Sequence, residues 1–304
     1  MKQEKIGNVT LDYTWYPGKD LYTDGDEEKK LLELVTNSGE KDYDSVIARE
    51  RSWAVLYHLS HVRENILGNL RIGRDESVLE IGSGCGAVTG ALLGKCASLT
   101  CVDLSRRRSM ISAQRHKDKD SFTILVGNFR DIEPNLPRYD LITLIGVFEY
   151  AKAYIGTDEP YEEFLRRIRA HLKPGGRIVI AIENRLGLKY FAGSAEDHTG
   201  VYFDGIENYP DERTPARTFS RPALERIFDK CGLGHRVFEY PYPDYKLPSA
   251  VYSDRFLPAQ GELRKNRWNF DRKRMEILDE DRAADSVISD GLYPQFANSF
   301  LVTL

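Results

Sequence analysis

Five short apolar runs recur between residues 77 and 184, and each is nearly continuous in Val, Ile and Leu. Strands that helices cover on both faces have this composition, whereas strands with one face in water alternate apolar and polar residues. Segments of helical periodicity lie between the runs, so the sequence predicts a parallel, doubly wound α/β sheet. The runs are SVLEIG (77–82), LTCVDLS (99–105), FTILVGNF (122–129), YDLITLIGVF (139–148) and GRIVIAIEN (176–184).

The helices and the last strands follow from local signals. Pro160 suits the first turn of a helix, and an apolar stripe follows it that Pro174-Gly175-Gly176 is expected to end. Ser220 is a candidate N-cap for a further helix. The runs HRVFEY (235–240) and FANSFLVTL (296–304) then read as a sixth and a seventh strand.

The flanking regions suggest how the chain is divided. Residues 1–76 are predicted to form an N-terminal helical extension that packs on the core, with one helix near Ser45 to Leu70. Residues 77–304 are predicted to form a single domain. Its insertions at 185–220 and 246–294 are expected to shape an acceptor pocket.

Composition narrows the class of protein. The 304 residues carry a net charge of −4 with a pI of about 6.0, which argues against a general nucleic-acid binder. No apolar run is long enough to span a bilayer, and the N-terminus lacks the apolar core of a signal peptide. The four cysteines form no CxxC pair, as expected for thiols in a reducing compartment. We therefore expect a cytoplasmic protein with neither a nucleic-acid partner nor a transmembrane segment.

A glycine-rich turn, Glu80-Ile81-Gly82-Ser83-Gly84-Cys85-Gly86, follows the first strand. Glycines let the backbone turn tightly and approach a ligand closely. Nicotinamide-binding folds use such turns as well, and Gly82-x-Gly84-x-x-Ala87 could be aligned with their fingerprint. Three details favour a different nucleoside ligand: the acid Glu80 before the glycines, their G-x-G-x-G alternation, and Asp103 at the end of the second strand. A carboxylate there can hold both ribose hydroxyls.

These motifs resemble those of the class I S-adenosylmethionine-dependent methyltransferases. VLEIGSGCG resembles the first motif of that family, and VDLS resembles its second-strand acid. The resemblance extends through GNF, DLITLIGVFEY and LKPGGRIVIAIEN, and so covers roughly residues 77–184. It implies a Rossmann-like, seven-stranded doubly wound fold, S-adenosyl-L-methionine as methyl donor, S-adenosyl-L-homocysteine as product, and no metal.

The resemblance also implies a set of donor-binding residues. The three alternating glycines would line the methionine moiety, Glu80 would organise their loop, and Asp103 would bind the ribose. Asn128 and Phe129 would contact the adenine, although Asn128 stands where the family often has Asp. The full implied set is Glu80, Gly82, Ser83, Gly84, Gly86, Asp103, Leu104, Asn128, Phe129 and Gly146.

Polar side chains at strand ends suggest the acceptor side. Ligands of open α/β sheets bind at the carboxyl ends of the strands. Glu149 ends the fourth strand there, Glu183 ends the fifth, and His198 lies on the insertion that follows. Because a hydroxyl must lose its proton as it attacks a methyl group, a positioned base is expected. We predict His198 as that general base, oriented by a carboxylate, with Glu183 and Glu149 as the other catalytic residues. The alternative is a surface histidine on a loop.

The flanking segments carry a narrower resemblance. ENRLGLKYFAGSAEDHTG, FDGIENYP, ARTFSR, YPYPDYKLPSAVYSD and FANSFLV together resemble a group of bacterial methyltransferases associated with surface-polysaccharide and lipopolysaccharide synthesis. The group implies O-methylation of a sugar or glycan hydroxyl, with glycosyltransferase or kinase-like partner modules. A small natural product, a lipid-linked intermediate and a protein side chain remain alternative acceptors. A non-catalytic donor-binding module of a larger assembly is the other alternative.

Two further features have ordinary explanations beside functional ones. His58 and His61 lie one turn apart without an acidic or cysteine partner nearby, which disfavours a metal site. The mixed-charge segment LRKNRWNFDRKRMEILDEDR (263–282) reads as a solvated helix. Its basic half could instead bind a phosphate-bearing acceptor or phospholipid headgroups; those residues are Arg264, Lys265, Arg267, Arg272, Lys273 and Arg274.

Overall fold

A computed structural model describes residues 2–20, 25–211, 215–264 and 274–304. The chain forms two compact units. The first comprises Met1–Ile145 and Ile168–Ile178, and the second comprises Gly146–Arg167 and Val179–Leu304. The boundary predicted between residues 76 and 77 lies inside the first unit.

Six strands lie side by side in the first unit. They are β1 (Gln3–Ile6), β2 (Val9–Trp15), β3 (Ser77–Ile81), β4 (Ser98–Asp103), β5 (Phe122–Gly127) and β6 (Tyr139–Ile145). Their order is β1-β2-β5-β4-β3-β6. All neighbours are parallel except the antiparallel hairpin β1-β2. The four predicted strands of this unit are present, and the near-continuous apolar residues of β3 are buried, as expected for a strand covered on both faces.

Helices and turns connect these strands. The helices are α1 (Asp26–Asn37), α2 (Tyr43–Glu50), α3 (Trp53–Leu59), α4 (Thr89–Leu93), α5 (Arg106–Arg115) and α6 (Phe129–Ile132). Short 3-10 helices span Glu40–Asp42, His61–Leu67 and Glu133–Asn135. Leu31 and Val35 of α1 and Val46 of α2 belong to one buried cluster with Cys85 and Ile111.

The N-terminal region differs from its prediction in two ways. The single helix expected near Ser45 to Leu70 is broken into α2, α3 and a 3-10 helix, because Arg51 adopts a left-handed conformation with φ 49° and Ser60 is extended. The region also contributes strands β1 and β2, and β2 pairs in parallel with β5. The extension is therefore helical in part and also widens the sheet.

The second unit contains the end of a strand and three further strands. The strands are β7 (Leu172–Glu183), which begins in the first unit, β8 (Val237–Tyr242), β9 (Ala250–Ser253) and β10 (Ser299–Thr303). Their order is β7-β10-β8-β9, and β10 is antiparallel to both β7 and β8. The seven predicted strands are all present, with β1, β2 and β9 in addition. The fold is thus the predicted Rossmann-like, doubly wound α/β fold.

Short helices complete this part of the chain. They are the 3-10 helix Phe148–Tyr150, α7 (Ala151–Tyr154), α8 (Pro160–Ala170), which ends in the first unit, α9 (Leu188–Phe191), α10 (Arg221–Lys230), α11 (Glu280–Ser289) and α12 (Tyr293–Phe296). In the described part of the chain, no helix combines the length and the apolar character needed to cross a membrane.

Two expected helix signals act differently from their predictions. Helix α8 ends at Ala170, and Pro174-Gly175-Gly176 lies within β7 instead of ending the helix. Ser220 does occupy the N-cap position of α10, but its side chain makes no capping hydrogen bond. Pro222 in the first turn provides the start signal there.

Candidate active site

The glycine turn after β3 adopts the backbone that its sequence requires. Gly82, Gly84 and Gly86 have φ values of 71°, 53° and 76°, a left-handed region that other residues rarely occupy. A Cβ on Gly84 would meet no atom within 4 Å, whereas a Cβ on Gly86 would lie 2.6 Å from Ser112 Oγ. Gly86 is therefore required for internal packing, and Gly84 faces open space where a ligand could approach.

Asp103 fixes this turn from the end of β4. Its carboxylate is buried; Oδ2 accepts a hydrogen bond of 2.7 Å from the Gly84 backbone N–H, and Oδ1 accepts one of 2.9 Å from Ser105. Each oxygen keeps a second lone pair for a ligand hydroxyl. Ser105, not Asp103, caps α5, because its hydroxyl accepts from the Arg108 N–H at 3.3 Å.

Glu80 supports the turn from beneath. Its buried Oε2 accepts hydrogen bonds from the Thr89 hydroxyl at 2.7 Å and from Cys101 Sγ at 3.1 Å. Burial raises the pKa of Glu80 to about 7, against the lowering effect of these two hydrogen bonds. The side chain thus ties β3 to α4 and β4 and does not extend into open space. This placement suits the organising role predicted for it.

The remaining residues predicted to bind the donor fall into two groups. Ser83, Leu104, Asn128 and Phe129 belong to the first unit, where Asn128 caps α6 by accepting from the Arg130 N–H at 3.0 Å and Phe129 is buried. Gly146 belongs to the second unit, where a Cβ would lie 2.8 Å from the Tyr245 hydroxyl.

The three residues predicted to be catalytic come together in the second unit. Glu149 lies on the 3-10 helix Phe148–Tyr150, Glu183 is the last residue of β7, and His198 lies on the following insertion. One potential ligand atom from each lies within 4.8 Å of those of the other two. Both carboxylates are buried, and the His198 side chain is 10% exposed. Local sequence alone could not show that the insertion folds back onto these strand ends.

His198 is held between three neighbours. Its Nδ1 lies 3.1 Å from the Tyr150 hydroxyl, its Nε2 lies 3.5 Å from Glu183 Oε2, and its backbone N–H donates to Glu196 Oε2 at 2.7 Å. The Tyr150 and His198 rings also meet edge to face. A carboxylate therefore lies beside the histidine ring, which is not a solvated loop residue.

A buried lysine, Lys189, and a partly buried one, Lys246, complete the site, and sequence reasoning missed both. Lys246 Nζ lies 2.7 Å from Glu183 Oε1 and also contacts Asp197. Lys189 Nζ lies 2.9 Å from Asp197 and 3.6 Å from Asp244. The sequence feature that could have indicated them is the clustering of charged residues in SAEDH (194–198) and YPDYK (242–246), because buried lysines need acidic partners.

Charge and burial set the protonation of this cluster. Burial alone would lower the pKa of His198, but the hydrogen bond and charge of Glu183 raise it to about 9. Burial, together with the charge of Glu183, raises the pKa of Glu149 to about 8. Burial would also raise the pKa of Glu183, but the Lys246 ammonium and His198 hold it well below its usual range. Near neutral pH the cluster therefore contains an ionised Glu183, a protonated His198 and a mostly protonated Glu149.

Part of this chain matches a known protein family. Residues 79–178 match the family described as "Methyltransferase domain". Residues 79–178 are a methyltransferase domain. The match contains the glycine turn, Asp103 and Glu149, so the methyltransferase domain includes residues from both candidate sites.

Individual relatives are similar over different lengths. A Methanothermobacter thermautotrophicus protein named cobalt-precorrin-6B C(15)-methyltransferase (decarboxylating) is 28% identical over 36% of this chain and 53% of its own length, so the chain spans about half of that relative. An Arabidopsis thaliana protein named alpha N-terminal protein methyltransferase 1 is 24% identical over 77% of this chain and 76% of its own. A crystal structure of a SAM-dependent methyltransferase from Thermotoga maritima is 16% identical, covers 86% of this chain and 96% of its own, and has a TM-score of 0.44.

The methyltransferase domain fits S-adenosylmethionine, the donor that enzymes of this class use. The open space beside Gly84 and the buried Asp103 carboxylate, with its spare lone pairs, match a nucleoside bearing ribose hydroxyls. Glu149, Glu183 and His198 are of types that also bind metals. However, the Lys246 ammonium already neutralises Glu183, and we assign no metal there.

The other residues considered from the sequence fall outside these sites. His58 is buried, and burial lowers its pKa well below the usual range. His61 is exposed, with its Nδ1 3.3 Å from Asp44. Of the basic segment, Lys265, Arg267, Arg272 and Lys273 lie outside the described residues, and Arg264 and Arg274 are paired with Asp285 and Glu280.

Proposed function

We propose that this protein is an S-adenosylmethionine-dependent methyltransferase that O-methylates a hydroxyl of a sugar, glycan or saccharide-bearing metabolite. One observation carries the proposal: two buried carboxylates and a histidine lie together in the second unit, with one of the carboxylates at the end of β7. A neutral amine can attack the methyl group without first losing a proton. A hydroxyl is a weaker nucleophile and needs a group that accepts its proton as it attacks. A buried acid–histidine cluster suits the second case.

In this proposal the first unit holds the donor. S-adenosylmethionine supplies an electrophilic methyl group on a sulfonium sulfur. Gly84 leaves room for its approach, and Asp103 binds ribose hydroxyls through the lone pairs that Gly84 and Ser105 leave free. Glu80 keeps the turn in place through Thr89 and Cys101.

The second unit orients the acceptor and receives its proton. Glu149, Glu183 and His198 can exchange a proton among nearby atoms, and Tyr150 fixes the histidine ring. Burial keeps bulk water from this cluster, which strengthens its electrostatic interactions.

The saccharide acceptor rests on the resemblance of residues 181–304 to methyltransferases of surface-polysaccharide synthesis. Relatives whose names specify a corrinoid precursor or a protein N-terminus as acceptor show that the domain accommodates varied substrates, so the acceptor is not inherited from them. Glycosyltransferase or kinase-like partners, a cytoplasmic location and the division at residue 76 remain predictions of the sequence.

A labelling experiment tests the acceptor. The protein is incubated with methyl-labelled S-adenosylmethionine and with matched sugars that carry either a free hydroxyl or an amine at the same position. Mass spectrometry then locates the label. Label on oxygen supports the proposal, and label found only on nitrogen or on protein side chains contradicts it.

Calorimetry tests the donor site without an acceptor. We expect Asp103→Ala to weaken S-adenosylmethionine binding at least about tenfold, because a charge-assisted hydrogen bond contributes roughly 1.5–3 kcal/mol. Asp118→Ala removes an exposed aspartate of the same unit and is the matched control. Equal affinity of Asp103→Ala and wild type would refute the ribose assignment.

A further inference from the structure

We propose that Glu149 is the catalytic residue that takes the acceptor's hydroxyl proton, and that His198 acts as a positioning cation that holds Glu183. This inference rests on the proposed function and assigns roles within its cluster. It differs from the sequence-based expectation, in which His198 is the base.

Ion pairs occupy both oxygens of Glu183, whereas a buried oxygen of Glu149 has no such cation beside it among the described residues. Glu183 has a cation near each oxygen, Lys246 at 2.7 Å from Oε1 and His198 at 3.5 Å from Oε2. Both ring nitrogens of His198 face partners, since Nδ1 lies 3.1 Å from the Tyr150 hydroxyl. Glu149 Oε2 is buried and has no hydrogen-bond partner within the described residues. A buried oxygen of this kind costs free energy unless a ligand satisfies it.

The groups that face Glu149 explain why it is not already ionised. Glu183 is a neighbouring carboxylate, and His198 and Lys246 are cations that both pair with Glu183. From α8, the buried Tyr161 hydroxyl faces it, and burial raises the pKa of that tyrosine. The Arg217 backbone N–H donates to the Glu149 carbonyl, not to its carboxyl group. Two buried carboxylates that share a site do not ionise equally, and here the cations favour Glu183.

The resulting proton affinities suit Glu149 for the task. A general base works best when its pKa lies near the operating pH. The pKa of Glu149 is raised by burial to about 8, whereas the Glu183 interaction raises that of His198 to about 9 against burial. As the pH rises, the basic form of Glu149 therefore becomes available before neutral His198 does. Glu183 is too weak a base, because Lys246 and His198 hold its pKa low.

The transfer step balances with Glu149 ionised at the start. The acceptor oxygen forms a bond to the methyl carbon while the bond between that carbon and sulfur breaks. The electron pair of the broken bond stays on sulfur. The hydroxyl proton moves to Glu149 Oε2. The sulfonium charge and the carboxylate charge both disappear, and the released proton later returns to solvent.

Infrared spectroscopy tests the protonation state without any acceptor or turnover. A buried protonated carboxyl group has a carbonyl stretching band distinct from that of a carboxylate. Glu80, whose pKa burial raises to about 7, also contributes such a band, so only the component that titrates near pH 8 reports on Glu149. We expect that component to be present in wild type, absent from Glu149→Gln and retained in His198→Gln. Glu162→Gln, a buried glutamate of α8 that pairs with Lys230, is the control. A component titrating near pH 8 that remains unchanged in Glu149→Gln would overturn the proposal.

Kinetics test the role in transfer. We expect Glu149→Gln to lower kcat on a hydroxyl acceptor by roughly 10²–10⁴-fold and to remove its pH dependence, with donor affinity unchanged. Glu149→Asp keeps a carboxylate and is expected to retain part of the rate with a pH dependence. His198→Gln is expected to lose less activity, and its kcat is expected to keep a limb of the pH profile that follows the ionisation of Glu149. The reverse pattern, with the limb lost in His198→Gln and kept in Glu149→Gln, would overturn the assignment.

The two levels of the proposal fail in different ways. If wild type methylates hydroxyl acceptors and Glu149→Gln stays within about threefold of it, the assignment of Glu149 is wrong and the proposed function stands. If wild type methylates amines and no hydroxyl, the proposed function fails and the proton-accepting role fails with it.

Discussion

Lys246 is the side chain on which the charge balance of the buried cluster depends. Its ammonium contacts Glu183 and Asp197 together, and their charges, with that of Asp244, raise the pKa of Lys246 well above its usual range despite burial. A buried ion pair of this kind is weak evidence for stability, because desolvation offsets much of the attraction. The main effect of the Lys246 charge is to keep Glu183 ionised and to leave Glu149 as the carboxylate that holds a proton near neutral pH.

Removing this charge is expected to change the pH dependence of methyl transfer. Because Lys246 lowers the pKa values of both Glu183 and Glu149, Lys246→Met is expected to move the ascending limb of the pH–rate profile to higher pH by about one unit or more. Lys246→Arg keeps the charge and is expected to restore most of the original profile. Lys189→Met removes a buried lysine that pairs with Asp197 and Asp244 instead, so it controls for lost stability. Equal shifts in Lys246→Met and Lys189→Met would contradict this role.

The raised pKa of Glu149 predicts that the difference in folding stability between Glu149→Gln and wild type depends on pH. Its pKa is raised by burial from 4.5 to about 8 in the folded protein. The stabilisation that protonation provides is fully present below pH 4.5 and is lost as the pH rises to about 8. Glutamine cannot ionise, so the stability of Glu149→Gln relative to wild type is expected to rise across this window, by on the order of 5 kcal/mol in all. Denaturant unfolding at several pH values measures it, and a constant difference would rule out the shift.

At the scale of elements, two glycines of one turn have different roles. Gly86 is needed for internal packing, and Gly84 leaves room for a ligand. Ala at Gly84 would place its Cβ in open space at φ 53°, so Gly84→Ala is expected to cost roughly 1–2 kcal/mol of stability and to weaken donor binding. Ala at Gly86 would clash with Ser112 Oγ at 2.6 Å, so Gly86→Ala is expected to cost a further ~1–3 kcal/mol. Thermal unfolding and calorimetry measure the two effects. Normal donor affinity in Gly84→Ala would show that the donor binds elsewhere.

The elements that could be predicted from sequence are those with strong local signals. β3 and β5 are near-continuous apolar runs, and their predicted positions agree with the structure to within two residues. β9 has four half-buried residues and no such signal, and it forms because β8 pairs with it. The break at Arg51 depends on a left-handed backbone that nothing in its composition announces.

The site shows the same division between local and long-range information. Glu149 and Glu183 could be placed at strand ends because the parallel sheet fixes where strands finish. The involvement of Lys246 and Lys189 could not, because lysines are normally exposed, and the burial of Lys189 and the partial burial of Lys246 depend on acids brought together by folding. The distribution of protons among Glu149, Glu183 and His198 depends on these lysines, so it too was beyond sequence reasoning.

At the scale of the whole molecule, the two units carry different chemistry. The first has a neutral glycine turn with a single ribose-binding candidate, Asp103. The second buries an ionic cluster in which acids outnumber cations locally, with Glu149 left without an ion-pair partner among the residues that the structure describes. This excess of acid raises the question of whether the protein needs a divalent cation for activity.

We expect methyl transfer to be independent of divalent metal. A cation at Glu149, Glu183 and His198 would have to displace the Lys246 ammonium, 2.7 Å from Glu183, and the proton on His198, whose pKa Glu183 raises to about 9 against burial. Ligand atoms must be deprotonated to bind a metal, so both displacements oppose binding near neutral pH. Rates measured after EDTA treatment and gel filtration are expected to stay within about twofold of untreated protein. Lys246→Met is the informative comparison, because loss of its charge would open the carboxylates to a cation. A wild-type rate abolished by EDTA and restored by Mg²⁺ or Mn²⁺ would show instead that the cluster is a metal site.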